Sequence, residues 1–451
     1  MDWMPLAKKY LPEYIKQTTK LLQIPTILDR YDADNLEAPF GDNIRKALDL
    51  VLEIAKTDGF QVKDIDHYAG AIDLGDGAET LAILGHLDVV PATGDWDDDP
   101  FSATLKNNRI YARGSMDDKG PSMAAYFAMK MVKDAKIPLA KKVRLILGCD
   151  EESGMRCITR YLEKESMPDL GFAPDADFPL IYGEKGITSF DIVGTFSDRV
   201  LISFTAGERY NIVPDVATAT LGIDLKQEFL DYLAKHQYEG EAKGNQITIR
   251  GKSAHAAMPE QGINAIFLMV EFLKEYTRHP LISFIDRYLA FDHLGQKLGI
   301  DHVDPIMKAL TLNTALVRLD ENHYRLGCNI RYPRGYDALE GGKKIALCAR
   351  SYQSEYLLLE DSPYHFVSPD HPLVKTLHEA YCKYTGDYQS PIITIGGGTY
   401  ARHLNVGVAF GPQFPNSPDL VHKPNEYLDL TEMTITMAIY AEAIAQLAGK
   451  K

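Results

Sequence analysis

Three acidic stretches lying close together constrain this chain more than any other feature. ILGHLDVVP carries His86 and Asp88, YARGSMDDKGP carries Asp117 and Asp118, and LILGCDEESG carries Asp150, Glu151 and Glu152. The apolar runs TLAILG and KKVRLILG each lead into one of these clusters and read as short strands buried on both faces. Open α/β sheets build their sites at the carboxyl ends of such strands. Consecutive acids at a buried strand end stay ionised only beside positive charge, which metal ions supply. Asp175 in APDADFP and His422 in LVHKPNEY offer the same donor chemistry. Together these residues suffice to hold two divalent metals and leave one carboxylate as a base, which points to a metal-dependent hydrolase.

The rest of the chain narrows the setting. At 451 residues it is too long for one ordinary core, so two to three domains are expected. The first residues, MDWMPLAKKYLPEY, lack the apolar run and cleavage site of a secretory signal. Nowhere do enough apolar residues run together to cross a bilayer. The formal charge of −15 repels phosphate backbones and anionic lipids, which speaks against nucleic acid and membrane partners. Five scattered cysteines without zinc-finger spacing suit the reducing cytoplasm. Cys149, among carboxylates, reads as a packed core residue rather than a nucleophile.

The texture changes twice along the sequence. Residues 1–186 read as α/β, with helical spacing in IRKALDLVLEIAK and a helix through KGPSMAAYFAMKMVKDA, where Pro121 sits in the first turn. Over 187–364, segments such as DIVGTF, VLISFTAG, ATATLGI, QITIRGKSA and YRLGCNIRYP alternate like half-exposed strands, with NAIFLMVEFLKEYTRH helical between them. Residues 365–451 return to α/β: a helix in PLVKTLHEAYCKYTG, the strand PIITI, a GGGTY loop and a last helix through TEMTITMAIYAEAIAQLAG. Because His422 belongs with His86, the middle segment is expected to be an inserted α+β domain within a discontinuous α/β one.

Each candidate has an ordinary alternative. On a strand, His86 and Asp88 point to one face, so His86 serves as ligand and Asp88 as the carboxylate that orients it. Asp118 suits a helix cap, whereas Asp117 suits a ligand bridging two cations. Glu151 and Glu152, adjacent after a strand, point apart, so one can bind metal while the other holds a water. Asp177 competes with Asp175, and neither Asp175 nor His422 stands out alone. In the middle segment, His255 in KSAHAAMPEQG, Asn211 in ERYNIVPD and Arg331 in CNIRYPRG each suit a surface or structural role. Arg331 is also the kind of group that binds a carboxylate bidentately. The GGGTY loop, which includes Gly397, lets backbone N–H groups approach a ligand, but lacks the Lys-Ser/Thr of a phosphate loop.

Taken in order, GHLDVVP, RIYARGSMDDKGP, DEESG, PDADFP with GEKG, SAHA, NIRYP, GGGTYAR and VHKPNEY resemble the co-catalytic metallopeptidase family of aminoacylases, carnosinases and desuccinylases. Within it the likeness is greatest to the PepV-type bacterial dipeptidases, and it spans essentially the whole chain. The resemblance implies a catalytic domain with a mixed sheet and helices on both faces, interrupted by an inserted lid. It implies two zinc ions per chain, with manganese or cobalt as alternatives. His86, Asp117 and Asp175 would bind one and Asp117, Glu152 and His422 the other, with a cis peptide after Asp117. Glu151 would be the general base, with Asp88 orienting His86. His255, Asn211 and Arg331, together with Gly397, would meet a small peptide substrate. The long insertion implies a monomer whose lid closes about hinges near residues 186 and 364. A cytoplasmic dipeptidase of peptide catabolism is thus expected. The alternative is an N-acyl amino-acid deacylase or succinyl-diaminopimelate desuccinylase with the same centre.

Overall fold

The computed structural model describes residues 1–450. They form two compact units. The first is built from Met1–Tyr182, Val367–Ile393 and the chain from Thr399 onward, and the second from Gly183–Phe366 with Thr394–Gly398.

The core of the first unit is a mixed sheet. Its strands run in the order Gln61–Ile65, Ala69–Leu74, Lys142–Gly148, Thr80–His86, Leu170–Ala173 and Gly407–Ala409, and Ile181 pairs with Ala409. The first two pairings are antiparallel and the next three parallel. Leu81, Ala82, Ile83 and Leu84 are all fully buried, because this strand lies inside the sheet with both faces covered. Two glycines show what covers each face. A Cβ on Gly85 would lie 2.0 Å from Ser122 Oγ, on helix Lys119–Asp134. One on Gly148 would lie 2.3 Å from the Tyr400 hydroxyl and 2.9 Å from Cys157 Sγ. Gly148 pairs with His86, the neighbour of Gly85, so the two glycines face opposite sides. Helices therefore pack on both faces of the sheet. Helices Met4–Leu22 and Leu430–Ala448 also pack against Lys119–Asp134, which is why that helix is apolar almost all round.

The second unit carries an eight-stranded sheet in the order Gly240–Lys243, Gln246–Arg250, Val216–Leu221, Leu201–Ala206, Thr311–Asp320, His323–Tyr332, Gly186–Thr195 and Glu355–Ser362. Every pairing is antiparallel. Tyr324, Leu326, Cys328 and Ile330 alternate into a separate hydrophobic core with helices Ala265–Leu273, Pro280–Tyr288 and Ala338–Arg350. The helix expected through NAIFLMVEFLKEYTRH stops at Leu273. Pro280 starts a new helix, capped by His279 Nδ1, which accepts the Leu281 N–H at 3.1 Å. Among the described residues no helix is long and apolar enough to cross a membrane.

Candidate metal centre

Parallel pairing brings the acidic clusters together. His86 is the last residue of its strand and pairs with Gly148, so the Asp150–Glu152 turn starts beside it. Asp175 follows the next parallel strand, Leu170–Ala173. Asp117 comes from the turn before helix Lys119–Asp134, and its peptide bond to Asp118 is cis. His422 arrives from the C-terminal segment. All belong to the first unit.

Asp117 lies at the middle. His86 Nε2 is 3.0 Å from its Oδ1, and His422 Nε2 is 2.8 Å from its Oδ2. The two oxygens of one carboxylate thus address two histidines. His422 Nε2 is also 3.1 Å from Glu152 Oε1, and His86 Nε2 is 3.7 Å from Asp175 Oδ2. Possible ligand atoms of His86, Glu151 and Asp175 lie within 4.8 Å of one another, as do those of His86, Asp117 and Glu152. Glu151 is thus itself one of the first group.

Asp88 acts in a way the strand argument did not foresee. The strand ends at His86, so Asp88 lies beyond it and its backbone carbonyl, 2.9 Å away, accepts the His86 Nδ1 hydrogen. The carboxylate is 3.5 Å from Nδ1. Its oxygens instead accept the Glu151 and Glu152 N–H groups, each at 3.0 Å. One residue thereby fixes the imidazole tautomer and the turn carrying both glutamates. Asp118 takes the N-cap position without capping. Its Oδ2 accepts the His86 N–H at 3.1 Å and the Ser122 hydroxyl at 2.8 Å. Asp150 needs no metal ion, because the Arg156 guanidinium grips both its oxygens, at 2.6 and 2.7 Å.

Electrostatics test whether this donor set fits metal. Burial lifts Glu151 well above the ordinary carboxylate range, and the charges of Asp175, Glu152 and Asp117 add to it. Burial followed by the Asp117 charge pushes Glu152 up to about 7, and the same two causes raise Asp175. Hydrogen bonds to Asp117 and Glu152 push His422 up to about 10. Burial alone would lower His86, but hydrogen bonds to Asp117, Asp175 and Asp88 carry it well above its usual value. Carboxylates crowded until they repel one another, with imidazoles between them, suit divalent cations better than protons. A metal held by His422 and His86 would have to displace their protons. Apparent metal affinity is therefore expected to fall as the pH drops below about 10. Calorimetric titration of metal-free protein near pH 7.5, in buffers of different ionisation enthalpy, should show proton release; none would contradict the ligand assignment.

The remaining candidates lie in the second unit. Ile212 bridges to His255, and the Asn211 main-chain carbonyl accepts the Ala256 N–H at 2.9 Å, so the two loops run side by side. Asn313 steadies them by donating to the Tyr210 and Ile212 carbonyls. Ala257 N–H donates to His255 Nδ1 at 3.2 Å. Burial and the Arg331 charge lower the His255 pKa. Both favour the neutral ring, and because Nδ1 accepts the Ala257 N–H, the hydrogen falls to Nε2. Arg331 donates to Asn329 Oδ1 and to the Gly396 carbonyl. Gly396 approaches Ala257 so closely that a Cβ would lie 2.7 Å from that alanine's own. A Cβ on Gly397 would meet only Ile395, at 3.7 Å, so packing does not require glycine there.

Sequence reasoning missed Glu426. Its buried carboxylate accepts the Met116 and Asp117 N–H groups, at 2.8 and 3.3 Å. The residue stands in the VHKPNEY motif, four positions after His422, which was the available signal.

Known proteins resemble this chain along nearly its whole length. The sequence model "Peptidase family M20/M25/M40" matches residues 82–446. A Staphylococcus haemolyticus protein named "Putative dipeptidase SH1171" is 40% identical, over 99% of this chain and 99% of its own. "Putative dipeptidase YtjP" of Bacillus subtilis is 40% identical, over 99% of this chain and all of its own. The fold is similar to that of human carnosine dipeptidase 1, with a TM-score of 0.60, 15% identity and 98% of each chain covered.

Proposed function

The chain belongs to peptidase family M20/M25/M40, and from that premise we propose that it is a di-metal dipeptidase, with Glu151 as its general base. The observation that carries this reading is the division of the Asp117 carboxylate between His86 and His422, with Glu151 beside them. The names of the relatives in Staphylococcus haemolyticus and Bacillus subtilis support the dipeptide as substrate.

His86, Asp117 and Asp175 would hold one cation, and Asp117, Glu152 and His422 the other. An imidazole and carboxylate set suits zinc, and manganese and cobalt accept the same donors. When bound, the cations supply Lewis acidity at the scissile carbonyl and bring the pKa of a water toward neutrality. Glu151 takes the proton of the attacking water and returns it to the leaving amine. Burial and the neighbouring carboxylates raise its pKa, which makes it a stronger base toward the water proton. Asp88 keeps Glu151 in place through the turn backbone. His255, with hydrogen on Nε2, donates to the oxygen that becomes negative in the tetrahedral intermediate. Arg331 and Asn211 recognise the substrate's C-terminal carboxylate, and Gly397 leaves its backbone accessible to the ligand.

The test is hydrolysis of a panel by metal-stripped protein with zinc, manganese or cobalt restored. The panel holds a free-amine dipeptide, its N-acetyl form, a tripeptide and N-succinyl-diaminopimelate. Metal-dependent cleavage confined to the dipeptide is the expected result. Cleavage of only the acylated compounds would replace the dipeptidase with a deacylase, and cleavage of nothing would remove the enzyme reading.

A further inference from the structure

Glu426 is wholly buried, with 0% of its surface exposed, although it is an acid within reach of a crowd of acids. The backbone explains how it gets there. Strand Tyr427–Asp429 pairs antiparallel with Arg109–Tyr111, placing Tyr427 opposite Tyr111. Glu426 therefore falls opposite Ala112, whose N–H donates to the Glu426 carbonyl at 3.1 Å. From that position the side chain enters the turn that carries Asp117. Oε1 accepts the Met116 N–H at 2.8 Å, the Asp117 N–H at 3.3 Å and the Ser115 hydroxyl at 3.4 Å. Oε2 accepts from Arg113 Nη1. Arg113 is 1% exposed, and its guanidinium lies 5.3 Å from the Trp96 ring centre.

We propose that Glu426 is a positioning residue for the metal centre, holding Asp117 by its main chain and tying it to the segment that delivers His422. The inference rests on the reading above that Asp117 and His422 are ligands. A carboxylate needed only to neutralise Arg113 would not also engage three donors of one turn. Here the Asp117 N–H faces Glu426 while the Asp117 oxygens face His86 and His422. Because Glu426 follows His422 by four residues, the two ligands are set relative to each other by one short segment anchored in a strand pair. Burial, and next the Asp117 charge, raise the Glu426 pKa, so the placement costs stability that Arg113 and the turn donors offset.

The test titrates metal-free Glu426→Ala and Glu426→Gln with zinc against a chelating dye, and records cobalt(II) d–d absorption. Partners behind metal ligands typically set affinity by roughly 10–100-fold. Glu426→Ala is expected to weaken zinc binding about 100-fold and to shift the cobalt bands. Glu426→Gln keeps one acceptor for the turn and is expected to lose about tenfold. Arg144→Met is the control, since it breaks a pair with Asp73 in the same unit, away from the ligands. It should lower the melting temperature and leave zinc affinity unchanged. If both Glu426 variants melt earlier, as the control does, but bind zinc and cobalt as the wild type does, the proposal is overturned. Should the alanine variant not fold, the glutamine variant decides by the same criterion. Wild-type protein that binds no divalent metal would overturn both this inference and the dipeptidase reading. Wild type that binds metal but cleaves no dipeptide would overturn that reading alone, and the variants would still decide the role of Glu426.

Discussion

Glu151→Gln is expected to lower kcat on a free dipeptide by roughly 10²–10⁴-fold, about 3–5 kcal/mol of barrier, with metal content unchanged. The substitution keeps the volume of the side chain. Its backbone N–H still meets Asp88, so the turn that also carries Glu152 holds its shape. What disappears is a group that can take a proton from water and give it to the departing amine. Withdrawal from water and the nearby charges of Asp175, Glu152 and Asp117 are what raise this carboxyl, and none of them can make an amide basic. Metal analysis and steady-state kinetics on one preparation decide the matter. A variant within tenfold of wild type would mean that another group is the base. A variant that loses its metal would mean that Glu151 is a ligand.

The second large effect is expected at Asp117. Asp117→Ala should abolish tight binding at both metal positions and bring dipeptide hydrolysis to background. Each position would lose a donor and a negative charge, so the loss should exceed the 10–100-fold typical of partners that only orient ligands. Asp117→Asn separates the contributions, because the amide keeps one acceptor oxygen but not the charge. It is expected to retain partial affinity at one position. An activity-independent readout accompanies both variants. The Asp117 hydrogen bond is the leading cause of the high His422 pKa, so in metal-free protein His422 should titrate closer to its ordinary 6.5. Histidine resonances followed against pH would show this. Two tightly bound metals in Asp117→Ala would refute the bridging role.

How much of this was legible in the sequence follows from the range of each interaction. Continuous apolar runs ending at His86 and before Asp150 reported a strand buried on both faces, because burial leaves a local trace. The alternation of YRLGCNIRYP likewise reported a strand, although Leu326 to Tyr332 are buried on both faces rather than one. Features fixed across long separations left no such trace. The Glu426 bond to Asp117 spans 309 positions, and no periodicity announces it. Arg156 lies six residues after Asp150, yet its grip on that carboxylate depends on how the turn folds. The bonds of Asp88 to Glu151 and Glu152 depend on the strand ending at His86, and the residue pattern fixed the strand but not its end.

The strand order of the first unit has a consequence for how the protein is made. Gly407–Ala409 lies beside Leu170–Ala173, and His422 and Glu426 follow it. A ribosome releases these residues after every other strand of that sheet. Until they emerge, Leu170–Ala173 presents an open edge, and Asp117 lacks both its second imidazole and the carboxylate that grips its main chain. Gly183–Phe366, by contrast, holds nearly all of its own sheet in one continuous stretch and can close upon itself while synthesis continues. The nascent chain therefore carries a partial, charge-frustrated acidic cluster through most of its synthesis. Only once residues 407–426 have been made can His422 and Glu426 reach Asp117. A chain cut short before residue 422 would thus lack the imidazole proposed for the second cation, although His86, Asp117 and Asp175, proposed for the first, would already have been made.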